Sequence, residues 1–320
     1  MKKTTKIWVS VALALMLVGG LIFVVAMSAI GWDFNRLSTT KYETNRYTLE
    51  ESFQSVSIDI DTADLRFVAS EDGTAFVVCY EQEKVKHTVS VDGGVLKIGV
   101  NDTRKWYEHI GIQFTSPMVT VYMPQGNYGV MNIKSKTGDV EIAKDFQFES
   151  VDVSESTGDV TSYASVSGSM KIKTDTGKIF VENLSANSLE LSVSTGDVAV
   201  AGVTCVGDVN VRVSTGKTSI SNLTCKNFLS SGSTGDIALK NVIATERFSI
   251  ERSTGDVQLN GCDAAEIYVE TDTGDVRGSL LTEKEFFAES DTGDVDVPKT
   301  NVGGWCEIIT DTGDIWIQIQ

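Results

Sequence analysis

The dipeptide Thr-Gly returns ten times at a fixed interval, and that interval limits the fold more than anything else in the chain. The glycines stand at 138, 158, 177, 196, 216, 235, 255, 274, 293 and 313, each 19 or 20 residues after the last. Asp follows eight of them, and Lys178 and Lys217 follow the other two. A period in this range marks a stacked-repeat architecture, in which one unit buries its apolar face only against its neighbours.

Alignment on the glycine shows what each unit buries. Seven residues before it stand Met131, Val151, Met170, Leu189, Val209, Phe228, Phe248, Ile267, Phe286 and Cys306. Five before it the column is again mostly apolar, from Ile133 to Ile308, with Ser230 and Ala288 as exceptions. Two after it run Val140, Val160, Ile179, Val198, Thr218, Ile237, Val257, Val276, Val295 and Ile315. A third pair of columns lies seven and nine after, from Leu184 and Ala186 to Leu281. Spacing by two is the period of a strand whose alternate side chains face inward.

The pattern predicts an all-β fold, a parallel β-solenoid of ten coils with two or three short strands per coil. Right-handed winding follows from the general preference of parallel crossovers. Coils about 4.8 Å apart give a rod of about 45 Å. A β-propeller needs about 40 residues or more per blade, twice this period. The glycine is expected at each corner because the turn needs φ > 0. The Thr before it and the Asp after it are short polar residues suited to bonding turn backbone.

Ahead of the repeats, Ile7 to Ile30 carry no charge over 24 residues, behind Lys2, Lys3 and Lys6. A transmembrane helix needs about 20 apolar residues, and the basic flank places residues 1–6 in the cytoplasm. A cleaved signal peptide ending near Ala26-Met27-Ser28 is the alternative, but its apolar region would be about 7–15 residues. The repeats are thus expected outside the cytoplasm. Residues 31–45 read as a linker, 46–130 as an irregular β region capping the first coil, and 131–320 as the regular coils. Within the cap, Val56, Ile58 and Ile60 alternate, and Asp61-Thr62-Ala63-Asp64 is a degenerate corner with Ala for Gly. Asp92-Gly93-Gly94 signals a hairpin, 101–117 a loop, and Val119–Met123 a strand stopped by Pro124.

The basic tail, single anchor helix, Asp61–Val68 element, Val119–Pro124 strand and serial Thr-Gly-Asp coils resemble the bacterial "putative adhesin" β-strand-repeat family. This is a group of membrane-anchored proteins of unknown function, and the resemblance covers roughly 45–320. It implies adhesion and supplies no catalytic, cofactor or metal residues to carry over. Lys178, Lys217 and Ala63 depart from its commonest corner.

Charge and residue chemistry narrow the function. The formal net charge is −17, and beyond residue 32 all 44 acids face 24 bases, a balance of −20. Nucleic acid and anionic lipid are poor partners for such a surface. His occurs only at 87 and 109, outside the coils. Asp272 and Asp275 could imitate a glycosidase pair, but the pair recurs at 291/294 and 311/314, which favours a structural explanation. No Ser-His-Asp or Gly-x-Ser-x-Gly pattern is present. The reading is a non-enzymatic binding or scaffolding module of the cell envelope. A calcium-stabilised adhesive rod is the alternative, with Asp272, Asp275, Asp291, Asp294, Asp311 and Asp314 as its acidic column. An enzyme on a cell-wall polysaccharide comes third.

Three local expectations remain. The five cysteines show no ligand spacing. Cys205 and Cys225 share a column one coil apart, close enough for a disulfide, though the rest of that column is Ala and two buried thiols fit it better. Trp106, Tyr107 and His109 are candidate contacts of the 101–117 loop, or else caps of the first coil. Finally, the Gly313 coil stops at Gln320 and has no residues for the face at seven and nine after its glycine. That coil is therefore expected to be the open end of the stack, with Trp316 facing outward as a contact for self-association or a partner, or folding over the end as a cap.

Overall fold

The computed structural model describes residues 3–29, 31–32, 41–106 and 115–320. A helix, α1 (Lys3–Ala29), comes first. Its stretch Ile7–Ala29 has a mean hydropathy of 2.7 and is long and apolar enough to cross a membrane. Its Leu, Val and Trp8 side chains are exposed.

The rest is one continuous sheet wound into a parallel solenoid. The in-register column Val151, Met170, Leu189, Val209, Phe228, Phe248 and Ile267 runs through seven consecutive coils. All seven side chains are buried. Val160, Ile179, Val198, Thr218, Ile237, Val257 and Val276 form the second face in the same way. Leu184, Val203, Leu223, Val242 and Cys262 line the third. A register shift at Asn260/Cys262 brings Leu280, not Leu281, against Cys262. Leu281, expected inside, is therefore exposed.

The corner glycines take φ between +130° and +155°, as the turn requires. They also have no room for a side chain. A Cβ on Gly196 would lie 1.9 Å from the carbonyl oxygen of Gly177 in the preceding coil. A second left-handed corner, not expected from the sequence, lies six residues later. Asn183, Gly202, Asn222, Asn241 and Gly261 hold it at φ of +52° to +63°. Asn and Gly are the residues that tolerate that region.

The N-terminal part contains nine strands up to the first Thr-Gly coil. They are β1 (Tyr42–Thr48), β2 (Ser55–Asp59), β3 (Asp64–Ala69), β4 (Phe76–Gln82), β5 (Val85–Asp92), β6 (Val95–Asp102), β7 (Met118–Met123), β8 (Gly126–Thr137) and β9 (Val140–Ile142). β1 begins inside the segment read as linker. β5 and β6 form the expected hairpin about Gly93-Gly94. β2 and β3 form a coil with Ala63 at its corner, buried under Gly138.

The layers do not follow chain order at either end. β2 lies between β6 and β8, and β3 between β7 and β9. The first coil of the chain is thus second in the stack. The same insertion occurs at the other end. Strand Gly304–Thr312 of the Gly313 coil pairs with Glu266–Thr273 on one side and Lys284–Thr292 on the other. Ile315–Ile319 likewise lies between Val276–Leu280 and Val295–Asp296. The expectation that the Gly313 coil is the open end is wrong: the Gly293 coil is. Ile315 is buried as its column predicts, and Ile317 is buried beside it. Among the described residues the stack is twelve layers deep, about 50 Å at the usual strand spacing.

Candidate functional site

The acidic corner column serves the fold. Every corner Asp but Asp294, which lies in the end layer, places Oδ1 on the backbone N–H of the equivalent residue one coil on. Asp64 accepts from Asp139, Asp139 from Asp159, Asp159 from Lys178 and Asp197 from Lys217, at 2.7–3.0 Å. The ladder resumes from Asp236 to Asp256, Asp275, Asp314 and Asp294. The last two steps follow the inserted order of the coils. The accepted N–H belongs to the neighbouring coil rather than to the residue's own turn. Lys178 and Lys217 can receive such a bond but cannot supply the next. The Thr of each Thr-Gly pair is exposed, a β-branched surface ladder. One oxygen of every corner Asp except Asp294 is thus engaged, and no three carboxylates converge within 4.8 Å among the described residues. Arg277 further neutralises the final stretch, 2.7 Å from Asp275 and 3.3 Å from Asp314.

Of the loop residues, Trp106 is exposed; Tyr107 and His109 lie outside the described residues. Cys205 and Cys225 are buried free thiols. Burial pushes the Cys225 thiol up to about 12, so it is a protonated packing residue.

The surface with the strongest binding chemistry is the end layer of the Gly293 coil. Its inward residues Phe286, Ala288 and Val297 are only partly buried, because no layer follows among the described residues. Val295 is exposed. On the outer face Phe287 stacks on Trp305 with ring centroids 3.8 Å apart, and both are 44% exposed. Trp316, also exposed, stands on the second face between Arg277 and Asp296. Glu285, Glu289 and Asp291 alternate along the same edge strand. Beside it a groove of about 710 Å³ opens between Ala265, Val302 and Gly303, with Lys284 along its wall. The Lys284 ammonium is buried against Asp263 at 2.6 Å.

Two features escaped the sequence. Three residues before each glycine, the strand period points inward, yet beside Val193 and Val213 that column holds Ser135, Glu155, Thr174, Gly232, Arg252, Thr271, Ser290 and Thr310. Burial raises the Glu155 carboxyl to about 7. Arg252 reaches across Gly232, whose missing side chain leaves room for the guanidinium. It donates to the Val213 carbonyl at 3.0 Å and Thr218 Oγ1 at 2.9 Å. Burial lowers its pKa to about 10. The other feature is a buried cluster of Cys79, Glu81 and His87 in the cap. Its ligand types converge although the cysteine spacing gave no sign of it. The signal available was the hairpin, which folds β5 back beside β4.

Residues 53–210 and 204–320 both match the Toastrack DUF4097 family. The chain belongs to that family. Similar solved structures include a "putative adhesin" of Parabacteroides merdae, 13% identical, with 87% of this chain and 97% of that one covered at a TM-score of 0.50. A "putative adhesin" of Bacteroides fragilis is 17% identical, covering 87% and 97% at 0.43. A "putative lipid binding protein" of Parabacteroides distasonis is 14% identical, covering 88% and 98% at 0.48. At 13% identity the likeness to the Parabacteroides merdae structure is one of fold alone. No curated protein matches the sequence.

Proposed function

We propose that this Toastrack chain is a non-enzymatic binding module of the cell envelope, held by residues 7–30 as a single-pass anchor with residues 1–6 in the cytoplasm and the solenoid outside. The observation that carries the binding role is the bare end layer. It joins exposed aromatic rings (Phe287, Trp305, Trp316) to a strand edge unpaired among the described residues, whereas the opposite end is covered by antiparallel strands β1, β4 and β5. Exposed aromatics with a polar rim are the residues that dominate recognition surfaces. Binding through this end replaces the contact expected at the Gly313 coil, with Trp316 as one of its members. The corner acids, each engaged with a neighbouring coil, support a calcium-independent rod. Their repetition supports a structural role over a hydrolytic one.

The test uses full-length protein with a C-terminal epitope. The epitope should be accessible on intact cells while an N-terminal one is not, and purified protein should bind isolated envelope. Trp305→Ala combined with Phe287→Ala should lose at least ten-fold in that binding with an unchanged melting temperature. Undiminished binding by the double variant would reject the end layer as the site.

A further inference from the structure

The cap contains a cluster of metal-ligand side chains that the binding role does not use. Along β4, Val77, Cys79 and Glu81 alternate inward, and all three are fully buried. β4 turns directly into β5, with Gln82 paired to Val85, and this brings buried His87 beside Glu81. One donor atom each from Cys79, Glu81 and His87 lies within 4.8 Å of the others. Among the described residues this is the one group of three His, Cys, Asp or Glu side chains that meets that distance, although the chain holds 44 acids.

The cluster is held in place and still incomplete. Glu81 Oε2 accepts the His87 backbone N–H at 2.6 Å and lies 2.7 Å from His87 Nδ1. Oε1 accepts Asn45 Nδ2 at 2.6 Å. The Tyr47 hydroxyl donates to the His87 carbonyl at 3.2 Å. His87 Nε2, in contrast, is buried without a hydrogen-bond partner among the described residues. A buried polar network kept only for packing would satisfy both ring nitrogens, because an orphaned donor or acceptor loses its water without replacement. His87 Nδ1 and Glu81 Oε2 already stand 2.7 Å apart, and a donor atom from Cys79 completes a trio within 4.8 Å, so an ion taken up between Nδ1 and Oε2 leaves the ring proton on Nε2 while Asn45 and Tyr47 support the pair from outside.

We propose that Cys79, Glu81 and His87 form a buried binding site for a thiophilic divalent metal of the zinc class. Thiolate, imidazole and carboxylate suit late first-row metals and not calcium or magnesium. On binding, the Cys79 Sγ–H proton passes to solvent and the thiolate takes its place on the metal. The thiolate and the Glu81 carboxylate then balance the two positive charges, leaving a neutral buried site. Three protein ligands leave one position for water. The metal joins β4 to β5 within the strands that cover the N-terminal end of the stack, so its role is to fasten the cap.

Full-length protein in detergent, stripped with chelator, is titrated with Co²⁺ and then Zn²⁺. The expected result is one equivalent of Co²⁺ with thiolate-to-cobalt charge-transfer absorption, displaced by Zn²⁺, and a Zn²⁺-dependent rise in melting temperature. Cys79→Ser should abolish the absorption and Cys225→Ser should keep it. Asn45→Ala, which frees Glu81, should weaken binding about ten-fold. If Cys79→Ser fails to fold, loss of stoichiometric binding in His87→Gln carries the assignment. No charge-transfer absorption in the wild type, or its persistence in folded Cys79→Ser or His87→Gln, overturns the proposal.

Discussion

Replacing Gly196 tests whether the corner glycines are fixed by backbone shape and closeness together. In the native coil Gly196 has φ +138°. Forcing a side chain into a region closed to it costs about 1–3 kcal/mol. The added Cβ would lie 1.9 Å from the Gly177 oxygen, where a carbon–oxygen contact needs about 3.3 Å. The coils would have to part by about 1.4 Å, by difference from that contact distance. Two bonds cross the gap beside the corner, Gly177 N–H to Thr195 O at 3.0 Å and Ile179 N–H to Asp197 O at 2.9 Å. Losing both costs about 2 kcal/mol net. Gly196→Val should therefore destabilise by about 3–5 kcal/mol. Asp197→Asn keeps an oxygen for the Lys217 N–H and should cost about 0.5 kcal/mol or less. Denaturant melts followed by far-ultraviolet circular dichroism compare the two variants with wild type. Equal midpoint shifts would refute the corner argument. So would a shift for Gly196→Val confined to its side chain's β propensity, about 1 kcal/mol or less.

Other perturbations follow from the same structure. The buried Glu155 carboxyl, raised from about 4.5 to about 7, stays protonated in the folded chain while the unfolded chain ionises. Stability should therefore fall as pH rises from about 4.5 to 7 and level off above. The fall is at most about 3 kcal/mol, and comparing melts of Glu155→Gln and wild type at pH 5 and 8 should show it removed. Arg252→Met leaves the space over Gly232 partly filled and removes the bonds to Val213 and Thr218. Removing a buried charge has an offsetting benefit, so the expected loss is about 1–2 kcal/mol; a loss above 4 kcal/mol in a thermal melt would show that the bonds outweigh desolvation. Calcium at millimolar concentration should raise the melting temperature no more than magnesium does. Because a layer covers the Gly313 coil on each side, Trp316→Lys should shift the melting temperature by only a degree or two; sedimentation of the same variant reads whether Trp316 takes part in any self-association.

Most of the stack was legible because its signal is repeated. Ten copies of one corner fixed the glycine column, and the inward columns followed from the strand period. The order of the end layers was not legible. Gly274, Gly293 and Gly313 carry near-identical Asp-Thr-Gly-Asp corners. Local sequence therefore fits either stacking order, and only the path of residues 281–303 decides it. Leu281 failed for a related reason: one residue is dropped on the third face, and period counting cannot register a shift between partners. Cys79, Glu81 and His87 were hidden because their convergence depends on a hairpin pairing rather than on spacing along the chain.

The two insertions give the ends of the stack different characters. A coil placed at an edge leaves one side of each of its strands without partners. Placing the first and last coils one layer in pairs their strands on both sides. The outermost layers are then loops of chain tethered at both ends. At the N-terminal end that layer, β6 and β7, is covered in turn by β5 and β4. At the C-terminal end nothing covers Lys284–Thr292 among the described residues, and its companion strand is only Val295–Asp296, followed by Pro298. A short strand, a proline and the outward acids Glu285, Glu289 and Asp291 are the means by which sheets discourage indiscriminate edge pairing. Two such ends meeting would bring like charges together, which disfavours a second copy. The edge therefore combines protection against its own kind with three exposed aromatic rings. That combination is what a surface needs if it is to stay single in the absence of its partner and still present apolar area when the partner arrives.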